Sequence, residues 1–259
     1  MIRQSLALLF FVCATTVGFA ADVESSYLSA RAVDWVALVP PPPTEGSEAQ
    51  RADVAAVLAM QSSSRADPAR RRLAIEDSEG ECFRFADVLG PAFVRNKLPA
   101  TTHFLEHALR EGSIPSGVVK DFWKRPRPYV GNAEVERLAD VSAGLTASMR
   151  DYASYPSGHA TRGTICAIVL GMLVPESQAK LFQRATQYRE SRLIVGAHHP
   201  TDIEAGKVLG TVAVSLMTQS PAFAHDRDVA ARELRAALQL PATPPARQEI
   251  NAATPLARD

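Results

Sequence analysis

Residues 158–173 read GHATRGTICAIVLGML, and the spacing of their apolar side chains decides the fold class. Ile165, Val169 and Leu173 recur at the interval of one helical turn, the period of an amphipathic or buried α-helix rather than of a strand. Two more stretches downstream, Ser177 to Ile194 and Pro200 to Met217, carry the same period, and Pro, Gly and His-rich breaks separate the three. The alternation expected of strands is nearly absent.

Upstream, Ser47 reads as the cap of a helix through Val54, Val57 and Leu58, and Asp67-Pro68 as a helix start with aspartate at the cap and proline at the first helical position. Further helices are expected over roughly 82–94, 100–111 and 115–123, and a last one over about 223–238. The run Val39-Pro40-Pro41-Pro42-Pro43 cannot be helical and should lie extended against the body or open the domain. These elements predict an all-α, single-domain helical bundle over residues 21–238. The remainder, 239–259, with Pro241, Pro244, Pro245 and Pro255, reads as a flexible tail.

The 259 residues suffice for one well-cored domain, and 28 basic residues balance 28 acidic ones. No field of a single sign points to a nucleic acid polymer or an acidic membrane as partner, so any anion site must be built locally. Residues 1–20 have the three parts of a secretory signal: Arg3, the apolar run Leu6 to Val12, and the small-residue exit Gly18-Phe19-Ala20. Cleavage is expected after Ala20, with a periplasmic destination. Beyond that leader no run is long enough for a spanning helix. Cleavage removes Cys13 and leaves Cys82 and Cys166. An oxidising compartment permits a bridge between them, yet Cys166 sits in an apolar helical stretch where a buried thiol is ordinary, and that second reading is carried forward.

Three clusters suit an oxyanion. In the first, Lys120-Asp-Phe-Trp-Lys-Arg-Pro-Arg127-Pro128, two prolines stiffen the backbone around Arg127 and pre-organise its guanidinium for bidentate contact. The second, Ser154-Tyr155-Pro156-Ser157-Gly158-His159, stands directly before the helix that begins near Gly158. Its unpaired N–H groups and positive dipole end attract an anion there, Gly158 permits close approach, Ser157 adds a hydroxyl, and His159 can carry a proton. Pro115-Ser116-Gly117 repeats three of these residues without the histidine and reads as a simple helix start. In the third, Ser191-Arg192 precedes His198 and Asp202. At i, i+4 separation the Asp202 carboxylate can accept the Nδ1 proton of His198 and leave Nε2 free to attack. Taken singly, each cluster also reads as a solvated face or a helix cap. Together they assemble two histidines, an orienting carboxylate and three fixed cations, a set that can transfer a phosphoryl group without a metal.

The spacing KxxxxxxRP, then PSGH, then SRxxxxxHxxxD resembles the three-part signature of the phosphatidic acid phosphatase type 2 (PAP2) superfamily, which also includes vanadium haloperoxidases. All fixed positions are present, and PSGH alone arises by chance in only about one chain of this length in a thousand. The leader, the early proline run, Ala153-Ser154-Tyr155 and Ser220-Pro221-Ala222-Phe223 are similar to class A bacterial non-specific acid phosphatases. The likeness extends over roughly residues 38–235 and departs from the pattern at His199-Pro200-Thr201 and around His103.

The resemblance implies that His198 forms a phosphohistidine, Asp202 orients it, and His159 protonates the leaving oxygen and later activates water. It makes Lys120, Arg127, Ser157, Gly158 and Arg192 the phosphate-binding set. It further implies small phosphomonoesters as substrates, inorganic phosphate or vanadate as pocket ligands, no cofactor and no metal, an acidic to mildly acidic optimum, a phosphotransferase side activity and a homo-oligomer.

Other readings are weaker. His103-Phe-Leu-Glu106-His107 spells the inverted zinc-peptidase motif, but no downstream glutamate clearly completes a metal site. A haloperoxidase would use the same pocket with vanadate on His198. A lipid phosphate phosphatase would bring spanning helices, and a non-catalytic phosphate binder would not need both histidines.

Overall fold

The computed structural model describes residues 26–28, 33–139 and 150–244. The expected leader with its exit at Ala20, and the tail past residue 244, lie outside the described residues.

Among those residues the regular structure is helical throughout, as the periodicity predicts. The first two helices, α1 (Glu48–Arg65) and α2 (Pro68–Glu76), start as the caps dictate: Ser47 Oγ accepts the Gln50 N–H, and the Asp67 side chain accepts that of Arg70. The proposed helix over 82–94 is shorter than the periodicity suggests. A 3₁₀ turn at Cys82–Phe85 runs into the one-turn α3 (Ala86–Leu89), which stops at Gly90 with φ of 90°. Then follow α4 (Pro99–Gly112), α5 (Ile114–Trp123), α6 (Gly158–Leu173), α7 (Gln178–Ile194), α8 (Pro200–Met217) and α9 (Pro221–Ala237). None of the described helices is long and apolar enough to cross a membrane.

Helix α6 is buried on nearly every side, the mark of a central helix, and it packs against both α7 and α8. Small residues set how closely those neighbours approach. A Cβ on Gly206 would stand 2.4 Å from the Ser157 carbonyl oxygen, and one on Gly210 would stand 2.7 Å from that of Thr161, so α8 lies directly on the first turns of α6. Gly163 leaves room for the Tyr188 ring of α7. On the other side α4 and α9 pair and close the main core, in which Tyr27, Phe85, Phe104, Ile165, Leu170, Phe223 and Leu234 are buried.

The proline run is extended and lies against the body, where the Tyr155 hydroxyl donates to the Pro40 carbonyl and Val39 packs with Val119, Tyr155, Ala205 and Leu209. It thereby braces the loop that leads into α6.

Cys82 and Cys166 form a disulfide, which corrects the reading of Cys166 as a buried free thiol. Helical spacing places Cys166 inside the protein but does not reveal what it faces. The fold lays the 3₁₀ turn of Cys82 against the middle of α6, with the two Cα atoms 5.2 Å apart. The bridge closes a separation of 84 residues, for which the chain-entropy model gives about 4–5 kcal/mol. Reduction, or Cys82→Ser with Cys166→Ser, should therefore lower Tm by roughly 10 °C or more, measured by calorimetry with and without reductant. Gly206→Ala should destabilise by about 1–3 kcal/mol in a denaturant titration and should also impair the site that the α6–α8 contact holds together.

Candidate active site

Three chain segments remote in sequence meet at one cavity of about 470 Å³. The end of α5 and the turn after it bring Lys120 and Arg127, the start of α6 brings Gly158 and His159, and the passage from α7 to α8 brings Arg192, Ala197 and His198. Ser78, Gly80, Ser113, Ser116, Gly117 and Arg162 complete the wall. Of the predicted residues, Lys120, Arg127, Gly158, His159, Arg192 and His198 line this space. Ser157 and Asp202 are fully buried behind it.

His198 is held at both nitrogens. Its Nδ1 donates to the Ser154 carbonyl oxygen at 2.8 Å, and its Nε2 accepts from the Arg127 guanidinium at 3.2 Å. That pattern fixes the tautomer with the lone pair on Nε2, aimed where Arg127 would also meet an anion. Burial, reinforced by Arg127 and Lys120, pushes the ring down to about 3, so it is neutral and nucleophilic over ordinary pH. The anticipated link from Nδ1 to Asp202 is longer than a hydrogen bond: Oδ2 lies 3.5 Å away, and the Ser154 carbonyl is the nearer partner.

Asp202 acts through a wider network. Its Oδ2 accepts the Ser154 hydroxyl at 2.6 Å and the His199 backbone N–H at 2.8 Å, with His199 Nδ1 at 3.2 Å, while Oδ1 accepts from Arg125 at 2.7 Å. It thus clamps the very residue whose carbonyl holds His198. Burial alone would raise this carboxyl, but the contacts with His198 and His199 and the Arg125 charge hold it well below the usual carboxylate range. Arg125 also donates to Asp53 at 2.8 Å, and the Thr201 hydroxyl donates to the same Asp53 oxygen at 2.5 Å. His199 and Thr201, which depart from the family pattern, are therefore parts of this buried network.

The cations differ in readiness. Arg127 donates from Nε to the Arg150 carbonyl at 2.5 Å and from Nη1 to that of Ala197 at 2.7 Å, so its position is fixed by backbone as well as by the flanking prolines. Arg192 is fully buried and donates to Ala74 and Ser78, but its Nε has no hydrogen-bond partner among the described residues. A buried, unsatisfied guanidinium N–H on a cavity wall suits an oxyanion. Burial lowers Arg192 to about 10, which leaves it charged at neutral pH. Lys120 donates to the carbonyls of Ala153 and Pro156, and burial next to Arg127 pushes it down to about 7.

At the start of α6, Ser157 Oγ accepts the Ala160 N–H at 3.2 Å as an N-cap, while the next residues turn toward the cavity. A Cβ on Gly158 would point at Lys120 Cε from 3.9 Å, into the space an anion would fill. His159 Nε2 donates to the Ser78 carbonyl at 2.9 Å, leaving Nδ1 to exchange protons. Burial and the nearby Arg192 hold His159 well below its ordinary value. Ser191, a fixed position of the third motif, donates to Asp77 at 2.8 Å and serves packing between α7 and the end of α2.

Sequence reasoning missed Arg125, Asp53, Ser154 and Ser78 as parts of the site. Arg125 stands inside the first cluster and Ser154 inside the second, so both lay within the signal but were given no role of their own. Asp53 and Ser78 carry no local mark.

A family model described as the PAP2 superfamily matches residues 103–226, the region holding every predicted site residue. The chain is 30% identical to a non-specific acid phosphatase of Salmonella typhi over 85% of this chain and 88% of that one. It is 31% identical to a non-specific acid phosphatase of Salmonella typhimurium over 71% and 74%. An acid phosphatase of Zymomonas mobilis is 30% identical over 57% of this chain and about half, 54%, of its own length. The chain belongs to the PAP2 superfamily, and these relatives within it are named as acid phosphatases.

The two depressed histidines make stability depend on pH. Their folded values lie below the ordinary 6.5, so the unfolded chain binds more protons, and native stability is present above about pH 6.5 and lost on descent toward about 3. A Tm profile from pH 7 to 4 should therefore slope downward with acid, less steeply in His198→Gln, and inorganic phosphate should flatten the wild-type slope. Arg125→Met, which strands the buried carboxylates of Asp53 and Asp202, should cost about 3–5 kcal/mol in a urea titration.

Proposed function

We propose that this chain is an exported acid phosphatase that hydrolyses small phosphate monoesters through a covalent phosphohistidine on His198. The observation that carries the reading is the neutral Nε2 of His198, oriented by the Ser154 carbonyl and set beside Arg127 in a cavity that also holds Lys120, Arg192 and His159. The names of its relatives point the same way.

The phosphoryl oxygens lie among Arg127, Arg192, Lys120 and the N–H groups at Gly158 and His159, which neutralise their charge. His198 Nε2 attacks phosphorus, the bond to the ester oxygen breaks, and His159 supplies the proton that the departing alkoxide takes. Water then attacks the phosphohistidine and gives its proton to His159, and the P–N bond breaks to release phosphate and restore His198. An alcohol in place of that water would give phosphotransfer. In this scheme no metal takes part, because fixed cations and a helix start supply the positive charge.

Burial and Arg192 keep His159 neutral, whereas the scheme requires it protonated at the first step. An entering phosphoryl anion adds negative charge beside the ring and raises it again. Lys120, lowered to about 7 by burial beside Arg127, is fully cationic only on the acid side of neutrality. Both effects favour an acidic to mildly acidic optimum.

The Cys82–Cys166 bridge supports an oxidising compartment and hence the periplasmic destination inferred from residues 1–20. The catalytic unit in this reading is residues 21–238. N-terminal sequencing of protein from the periplasm should find Ala21 first.

Acid-quench trapping with a labelled phosphomonoester should capture label on an acid-labile, base-stable bond, absent in His198→Ala, whose turnover should fall about 10³-fold or more. His159→Ala should lose about 10²–10⁴-fold on alkyl phosphates and much less on an activated phenyl phosphate, whose leaving group needs little protonation. Label that survives in His198→Ala, or turnover abolished by chelation, would sink the mechanism. Halide oxidation dependent on vanadate would replace it with haloperoxidase chemistry.

A further inference from the structure

The H-x-x-E-H pattern of α4 has no role in the proposed phosphoryl transfer, and in the sequence no downstream glutamate clearly completes it. The fold supplies a different third carboxylate. Asp226, on the second turn of α9, lies beside both histidines, so that one ligand-type atom from each of His103, His107 and Asp226 falls within 4.8 Å of the other two. His103 Nε2 is 3.5 Å from Asp226 Oδ2.

The surroundings orient these groups as the outer shell of a metal site does. His107 is buried, and its Nε2 stands 2.7 Å from Glu111 Oε1, the carboxylate–imidazole contact that fixes the tautomer and leaves the lone pair on Nδ1. Tyr27 stacks on the His107 ring at 3.6 Å between centroids and donates its hydroxyl to Asp226 Oδ2 at 2.6 Å. Glu106, the base of the peptidase motif, is instead paired with Arg95. The cluster therefore lacks the water-activating group of a peptidase.

We propose that His103, His107 and Asp226 form a structural site for a borderline divalent cation, Zn²⁺ in the first instance, with water in the fourth position on the exposed His103 side. Two imidazoles and one carboxylate are the donor set this cation accepts, and a tetrahedral ion with bonds of about 2.0–2.2 Å holds its donor atoms roughly 3.3–3.6 Å apart, so the three atoms, now within 4.8 Å of one another, would draw together by about an ångström. The ion would staple α4 to α9. It would also secure the segment around Tyr27, whose hydroxyl and ring both rest on ligands. Ten residues of helix, roughly 15 Å, separate His103 from Ser113 on the catalytic cavity wall, so occupancy should stabilise the protein without entering the chemistry.

The test uses the full mature protein, stripped with chelator and titrated with ZnCl₂ by calorimetry and thermal unfolding. One equivalent should bind, and Tm should rise by roughly 5 °C at a hundredfold excess over Kd. Both effects should disappear in Asp226→Asn and in His103→Gln while phosphomonoester turnover stays within about twofold of wild type, and His198→Gln should bind zinc normally. Cobalt(II) should give visible bands of tetrahedral intensity in the wild type and lose them in His103→Gln, a partly exposed position whose change leaves the core intact. Absence of zinc binding at micromolar concentrations overturns the proposal. So does binding that persists in both cluster variants or vanishes in His198→Gln, since the ion would then sit elsewhere. Failure to bind zinc, or binding that persists in both cluster variants, leaves the phosphatase reading intact, whereas binding lost in His198→Gln would place the ion in the catalytic cavity and count against the metal-free scheme as well.

Discussion

Helix α8 rests closely on the first turns of α6, because Gly206 faces the Ser157 carbonyl and Gly210 that of Thr161 with no side chain of their own. This backbone-to-backbone contact fixes where the passage carrying His198 enters relative to the helix start carrying Gly158 and His159. The Ser157 N–H donates to the Asp202 carbonyl across the same junction, and the Ser154 hydroxyl donates to the Asp202 side chain. Two motifs separated by some forty residues thereby behave as one rigid piece. The catalytic geometry is a consequence of helix packing as much as of the residues that line the cavity.

Around that piece the protein has concentrated charge where water is scarce. Arg125 sits between Asp53 and Asp202 as a buried pair of ion pairs, and Asp77 is similarly enclosed by Arg184 and the Ser191 hydroxyl. Such pairs add little net stability, since desolvation offsets much of the attraction, but they tolerate few alternative arrangements. Within this frame, burial keeps both histidines neutral and lowers Lys120 and Arg192, so the cavity is suited to accept negative charge. In the proposed reaction, an anion that enters favours the protonated forms of His159 and Lys120, which couples binding to proton transfer.

The disulfide lies within the main core, which the α4–α9 pairing helps to close. The bridge ties the irregular passage at Cys82 to the central helix, and Ser78 and Gly80, just before it, form one wall of the cavity. A loop with little regular structure is thus held in place beside the reaction site by a covalent link and by the Tyr188 hydroxyl, which donates to the Glu79 carbonyl.

Much of this was legible in the linear sequence. Helical period marks α6, α7 and α8 to within a residue, because each buries a broad apolar face. Ser47 and Asp67-Pro68 mark their helix starts, because a cap hydrogen bond spans only three residues. The cations and histidines of the three motifs are legible for a similar reason: phosphoryl chemistry needs those residue types at spacings that helix starts and turns impose locally. Tertiary structure alone decided the rest. It paired Cys82 with Cys166, moved the nearest partner of His198 Nδ1 from Asp202 to the Ser154 carbonyl, brought in Asp53 and Ser78, and set Asp226 beside His103 and His107. All of these depend on contacts between segments dozens of residues apart, whose distances follow from how helices pack and leave no periodic trace along the chain.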